Sequence, residues 1–482
     1  MRFRQILRVI GILNAFLGLF MLAPLIVSLV YSDGSFLPIL YSFFITSASG
    51  LLLFLIARTA DYTALSQREG MAIVTFSWLS AGLFGSLPFL FSGSIGSLTD
   101  AFFESLSGFT TTGASVLNNI ESLPQGVLFW RGLTQWLGGM GIIVFSIAIL
   151  PFLGVGGMQL YKAEIPSPVV DKLQPRISET AKTLWKVYLL ITVIEIGLLF
   201  AGGMSLFDSI CHTFCTMPTG GFSTHGSSIA YFNSAYFEGV ITVFMALAGV
   251  NFALHFRFLK GDFRVFSRDP ECRIFLLILA ALILLVTANI YGTVYDSVAG
   301  AFRRAAFQVT SIITTTGFVT SDYETWPALS QIILFLCMFI GAMAGSTGGA
   351  IKIMRIVLLV KYGFREIFRL VHPHAVRSVK LGRKPVPEEV LNSIGGFFIL
   401  YLGLYVAAVL IMSFLGLDVI TSLGSVAATI GNVGPGFGLV GPVRNYLTIP
   451  DPGKWGLTFC MLVGRLEIYT VIVMLAPAYW RK

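Results

Sequence analysis

Four short runs in this 482-residue chain carry the same chemistry: TTTG at Thr110–Gly113, PTGG at Pro218–Gly221, TTTG at Thr314–Gly317 and GNVG at Gly431–Gly434. Glycine has no β-carbon, so it enters positive φ freely and lets neighbouring carbonyls turn to one side. Four such turns about one axis would make rings of carbonyl oxygen, the usual replacement for the water shell of a dehydrated alkali cation. The candidate ion-facing residues, acting mainly through backbone carbonyls, are Thr111, Thr112, Gly113, Thr219, Gly220, Gly221, Thr315, Thr316, Gly317, Asn432, Val433 and Gly434. The expected ligand is K⁺, with no organic cofactor on this chain. The set is uneven. Pro218 has no amide hydrogen and a fixed φ, and Asn432 is followed by Pro435. Fewer well-defined ion sites, and weaker discrimination against Rb⁺, Cs⁺ or Na⁺, are therefore expected than for four identical loops.

A second group of residues points to a barrier. Gly345–Gly349 (GSTGG) interrupts one apolar run from Trp326 to Val360, and such a cluster unwinds a helix. Gly345, Ser346, Thr347, Gly348 and Gly349 are read as a loop with available carbonyls, with Lys352 and Arg355 directly after it. Arg465 lies about ten residues into an otherwise apolar final span, where an arginine is costly unless paired or facing water. Glu467 is two residues away and so on a different helix face. Donation from Arg465 to carbonyls of the 345–349 loop is the better arrangement, and a fixed positive charge there opposes cation passage.

Some of these residues fit other chemistries. Ser346 in a glycine-rich loop admits an intramembrane serine hydrolase, which leaves the fourfold repeat unexplained. Glu104, Glu195 and Glu467 are the intramembrane carboxylates that a K⁺/H⁺ or K⁺/Na⁺ symporter would need, and this alternative stays open. Cys211, His212 and Cys215 are read as packing residues on a short helix, and five scattered cysteines form no disulfide framework. No phosphate-binding loop or dinucleotide fingerprint occurs in the sequence.

The elements that must hold these residues are membrane spans. Apolar residues make up 55% and charged ones 12%, about half the ~25% of soluble chains. Ten spans fit the hydropathy, at 9–31, 37–57, 71–92, 127–152, 184–202, 236–256, 274–292, 327–351, 391–414 and 455–478. The first is read as a retained span, since it lacks a small-residue cleavage site. Before each glycine turn lies an apolar segment too short to cross: FFESLSGF, FDSICHTFCTM, FRRAAFQVTSII and ITSLGSVAATI. The expected fold is an all-α integral membrane protein with four fused span–pore-helix–span repeats in pseudo-fourfold arrangement around a central pore. The divisions are 1–66 for two extra N-terminal helices, then repeats at 67–155, 156–265, 266–385 (containing the intramembrane loop) and 386–482. Basic residues cluster in 153–182 (Lys162, Lys172, Arg176, Lys182), 257–273 and 352–385 (including Arg377, Arg383 and Lys384), whereas 114–126, 222–235 and 318–326 have no Lys or Arg. Both termini are then cytoplasmic and the turns face outward. The +8 net charge follows from this asymmetry and needs no nucleic acid.

The ordered set TTTGA near 110, GGFSTH at 220–225, TTTGF at 314–318, NVGPGFG at 432–438 and GRLEIYT at 464–470 resembles the TrkH type of the Trk/Ktr/HKT superfamily over essentially the whole chain. The resemblance implies K⁺ uptake across the bacterial inner membrane, with filter glycines matching Gly113, Gly221, Gly317 and Gly434. In the plant branch a serine in the first position goes with Na⁺ transport; this chain has glycine there. The resemblance also implies that the 345–349 loop obstructs the pore below the filter and moves during gating, and that Arg465 contributes to that barrier. It implies a homodimer bound to a cytosolic TrkA-type regulator that binds NAD, ATP or ADP, whose nucleotide state would shift the 345–360 helix.

Overall fold

The computed structural model describes residues 2–58, 66–141, 177–375, 378–382 and 384–481. Lys162, Lys172, Arg176, Arg377 and Arg383, the division at 155/156 and the end of the span expected at 127–152 lie outside the described residues. Within them the chain is mostly helical, and the one sheet there pairs Lys380–Leu381 with Lys384–Pro385.

Six described helices are long and apolar enough to cross a bilayer: Phe3–Tyr31, Phe36–Ile56, Arg68–Phe91, Ala181–Ala201, Pro270–Ile290 and Glu388–Phe414. Four shorter helices precede the glycine turns: Leu98–Phe109, Leu206–Thr216, Val298–Ile313 and Val419–Ile430. The longest of these has 16 residues, about 24 Å of helix, which falls short of a ~30 Å hydrocarbon core. Each starts on a side-chain cap. Ser97 accepts from the Asp100 amide, Ser205 from Asp208, Ser297 from Gly300 and Asp418 from Thr421, satisfying amides that a helix start leaves unpaired.

The first short helix is more fully buried than any of the long ones, four of which bury little. Every residue from Ala101 to Phe109 is buried, whereas Phe36–Ile56, Ala181–Ala201, Pro270–Ile290 and Glu388–Phe414 bury only 22–28% of their apolar windows. The short, Ser- and Thr-rich helices lie inside, and long apolar helices turn their faces outward. Irregular backbone inside a bilayer requires such a protein sheath.

Four of the ten expected spans are not continuous helices. The span expected at 127–152 is helical as Gln125–Gly139, with positive φ at Gly141. At 236–256 the chain forms Ala235–Ala248 and Phe252–Leu259, bent by 101°. At 327–351 it forms Ala328–Cys337, and helix resumes only at Ile353; the break therefore covers 338–352, wider than the expected 345–349. At 455–478 the helix Asp451–Arg465 ends before Glu467 and Ile468, both at positive φ. Glycines stand at or beside each break: Gly138, Gly139, Gly249, Gly341 and Gly464. Hydropathy averages across such a break because the residues around it stay apolar.

The N-terminal pair packs through small residues. A β-carbon on Gly50 would lie 2.5 Å from the Ala15 amide nitrogen, and one on Gly11 would lie 2.7 Å from the Gly50 carbonyl oxygen. This is the close backbone approach that helices in lipid use in place of a hydrophobic drive. Gly50→Leu is expected to cost about 1–3 kcal/mol by overpacking and to lower the thermal midpoint in detergent. Gly239→Leu, where nothing lies within 4 Å of the added β-carbon, should leave the midpoint unchanged.

A candidate ion filter and the loop beneath it

Each short helix ends in the same way. The Thr111 amide donates to Gly108 O and the Thr112 amide to Ser107 O, both at 2.9 Å. Thr219 and Gly220 repeat this with Thr216 and Cys215, Thr315 and Thr316 with Ile312 and Ser311, and Asn432 and Val433 with Thr429 and Ala428. This 6→1 and 5→2 pairing closes a helix on a left-handed residue. That residue is usually glycine; here it is Thr111, Thr219, Thr315 or Asn432, with φ from 52° to 60°. A β-branched residue in that region is strained. The glycine two residues on is left-handed again, with φ of 79°, 77°, 79° and 96° at Gly113, Gly221, Gly317 and Gly434. Backbone that alternates hand in this way turns successive carbonyls to one side.

Side chains anchor the strained positions. Thr315 Oγ1 accepts from the Gly349 amide at 2.7 Å. Asn432 Nδ2 donates to Thr112 Oγ1 and to Met461 O, each at 2.9 Å. Hydroxyl pairs link Thr110 with Thr112 at 2.7 Å and Thr314 with Thr316 at 2.8 Å.

The four turns close into a cycle in chain order. A β-carbon added at Gly113 would strike Gly220 O, one at Gly221 would strike Thr316 O, one at Gly317 would strike Val433 O, and one at Gly434 would strike Thr112 O. Every glycine thus abuts the carbonyl just ahead of the next turn's glycine. Gly220 O also receives Gln135 Nε2 at 2.7 Å, and Gly434 O receives the Tyr446 hydroxyl at 2.7 Å. Among the described residues no N–H or O–H donates to the carbonyls of Thr112, Gly113, Gly221, Thr316, Gly317 or Val433. Protein carbonyls buried away from water are ordinarily paired.

A second layer braces the segments after the turns. Glu104, His212 and Gln308 each stand nine residues before their turn's glycine. Glu104 Oε2 accepts the Val116 amide at 2.9 Å, His212 Nε2 meets Ser223 Oγ at 2.9 Å, and Gln308 Oε1 accepts the Thr320 amide at 3.0 Å. Glu104 is also paired with buried Arg131 at 2.7 Å, and Arg131 donates to Ser223 O at 2.8 Å. Glu104 and His212 are therefore bracing residues. The other His212 nitrogen meets Asp208 O at 2.8 Å.

Two cavities flank the turns. One of about 580 Å³ is lined by all four glycines and by residues that follow them, including Ser115, Ser223, Thr320 and Pro435. The loop lies against residues that precede the turns, since a β-carbon on Gly348 would touch Thr314 O and one on Gly349 would touch Gly431 O. Beside the loop is the second cavity, of about 120 Å³, lined by Gly345–Gly349, Lys352, Gly138, Gly139 and Arg465.

Contacts to the loop come from several helices. Arg465 donates to Thr347 O at 2.7 Å, to Gly138 O at 2.9 Å and to Gly139 O at 3.1 Å. Thr347 Oγ1 donates to Met217 O at 3.0 Å and Ala248 O at 3.2 Å. Buried Lys352 donates to Gly348 O. Glu467 pairs with Arg355, not Arg465. Ser346 Oγ donates to Met343 O at 2.6 Å, and no histidine lines the cavity beside it. Glu195 is fully buried, and among the described residues neither carboxylate oxygen has a hydrogen-bond partner.

Gln135, Arg131 and Tyr446 did not stand out in the sequence. Arg131 and Gln135 carried the same signal as Arg465, a polar side chain inside a nominal span. The common register of Glu104, His212 and Gln308 was also readable once the glycines were aligned.

A family model described as TrkH, a cation transport protein, matches residues 38–482. The chain is 44% identical over 486 residues to the Trk system potassium uptake protein TrkH of Salmonella typhimurium and to that of Escherichia coli K12, with 100% of both partners aligned. It is 37% identical to the Trk system potassium uptake protein TrkG of Escherichia coli K12, over 99% of each. The crystal structure of the potassium transporter TrkH from Vibrio parahaemolyticus superposes with a TM-score of 0.90 at 41% identity, covering 100% of each chain. The likeness thus runs through turns, half-length helices and broken spans alike, and this chain belongs to the TrkH family of cation transport proteins.

Proposed function

We propose that this protein takes up K⁺ across the bacterial inner membrane through a carbonyl-lined filter formed by Thr111–Gly113, Thr219–Gly221, Thr315–Gly317 and Asn432–Gly434. Four repeats, at 67–155, 156–265, 266–385 and 386–482, surround one pore, with the helices of 1–66 outside it. One observation carries the reading: the closed cycle of left-handed turns, whose buried carbonyls lack protein donors. A dehydrated monovalent cation supplies the missing partner for several carbonyls at once. The C-terminal ends of the four short helices add partial negative charge at the same point. Donation to Gly220 O and Gly434 O makes the ring uneven, which supports modest discrimination among K⁺, Rb⁺ and Na⁺.

Flow is channel-like and is gated beneath the filter. The 345–349 loop, Lys352 and Arg465 form the barrier, with fixed positive charge in the path of a cation. The protein works as a homodimer with both termini cytoplasmic. A cytosolic TrkA-type regulator binding NAD, ATP or ADP displaces the loop through the helix that follows it, which begins at Ile353 and not, as expected, within 345–352; the naming of relatives as parts of a Trk system supports such a companion. Coupled symport with H⁺ keeps one specific observation in its favour, the unpaired buried carboxyl of Glu195.

Three outcomes test this. Gly113→Ser puts a β-carbon onto Gly220 O at a positive-φ position; rubidium uptake into liposomes, with and without competing Na⁺, should show a K⁺ preference reduced about tenfold or more, as expected for steric and backbone strain together. Arg465→Ala removes charged donors to three carbonyls and should raise basal flux about tenfold, the equivalent of about one charge-assisted hydrogen bond. With independent K⁺, Na⁺ and H⁺ gradients, the reversal potential should follow K⁺ alone; a shift with the proton gradient that Glu195→Gln abolishes would establish coupling instead.

A further inference from the structure

The neck of the 338–352 break is narrow. Ile340 and Ile351 form a parallel bridge, the Gly341 amide donates to Ile351 O at 2.8 Å, and the Ile353 amide donates to Ala342 O at 3.2 Å. Residues 342–350 therefore stand out as a lobe on a closed stem. One side of the lobe is pinned to the broken inner helix of the second repeat, through Met343 N to Gly249 O and Phe252 N to Gly345 O, both at 3.1 Å.

A carboxylate from another helix reaches this stem. Glu271, in the first turn of Pro270–Ile290, is 8% exposed, and its Oε1 accepts the Ala344 amide at 2.8 Å. Ala344 directly precedes Gly345, which has a φ of 75°. The carboxylate thus meets the chain as it enters the lobe.

We infer that Glu271 is a clasp that ties the entry of the intramembrane lobe to the helix Pro270–Ile290 and thereby keeps it seated under the turns. Glu271 is a positioning residue, because it touches the loop and not the filter. The inference rests on the proposed barrier role of the loop. It adds a link that the barrier residues lack, from the cytoplasm-side start of the third repeat to the lobe.

The test is basal rubidium flux into liposomes containing the full chain alone, comparing wild type, E271A, E271Q and R465A. E271A removes the acceptor and should raise flux about fivefold, the factor that corresponds to one net hydrogen bond. E271Q keeps an oxygen for the Ala344 amide and should stay within about twofold of wild type, a rescue that a merely structural role would not give. A raised R465A flux with E271A at the wild-type level overturns the clasp and leaves the barrier standing. An equal rise in E271A and E271Q also overturns it, because the acceptor would then not be the cause. Wild-type flux in both R465A and E271A removes the barrier reading and the clasp with it. Where E271A does not insert, E271M fills the volume without an acceptor, and the same outcomes decide.

Discussion

Backbone carbonyls buried without donors are the constraint around which this molecule is built. They occur where four turns abut so closely that none tolerates a β-carbon at its glycine. To hold them there, the chain places β-branched threonine, or asparagine, in left-handed conformation at four equivalent positions, against a cost of about 1–2 kcal/mol each. Such strain persists only when its surroundings over-determine it. The surroundings do so in three shells: the 6→1 and 5→2 helix closures, the hydroxyl and amide anchors on Thr315 and Asn432, and the braces from Glu104, His212 and Gln308.

The Glu104–Arg131 pair shows how those shells join. A buried ion pair is of doubtful net value for stability. This one links two turns, because Glu104 holds the segment after the first turn while Arg131 holds Ser223 after the second. Its contribution is therefore register between neighbouring turns. On the third repeat Arg304 does similar work, bonding Thr320 O at 2.8 Å and Glu238 at 3.1 Å.

The sequence was most legible where glycine spacing and length acted together. Four glycine turns behind apolar segments too short to span stood out, because neither feature is common inside a membrane protein. The broken inner helices were less legible. Gly249 and Gly464 lie in runs that stay apolar on average, Arg465 and Glu467 notwithstanding, so a hydropathy window reads straight through them. The left-handed threonines were hidden for the opposite reason: intrinsic preference argues against them, and only packing from other repeats enforces the conformation. Glu104 was visible as a buried carboxylate, but its role was not, since its charge partner is 27 residues away on another helix. Arg465 could be read because its near neighbour Glu467 lies on the wrong face; in the structure Glu467 turns to Arg355 instead.

The breaks below the turns explain why the loop can be bonded from so many sides. An unbroken helix uses its carbonyls internally and offers few to neighbours. Breaking these helices frees Gly138 O and Gly139 O after Gln125–Gly139 and Ala248 O and Gly249 O after Ala235–Ala248. Arg465, Thr347 and Met343 bond them. Thr315 and Arg465 add bonds to Gly349 and Thr347 of the lobe itself. The lobe at 342–350 is thus tied to Met217, Ala248, Gly249, Phe252, Thr315 and Arg465 through hydrogen bonds, each worth only about 1 kcal/mol net, and reaches Gly138 and Gly139 only through Arg465. No one bond dominates, yet most must exchange together if the lobe moves. Bonds arranged this way favour two seated positions over drift, which is what the barrier proposed for this loop would need.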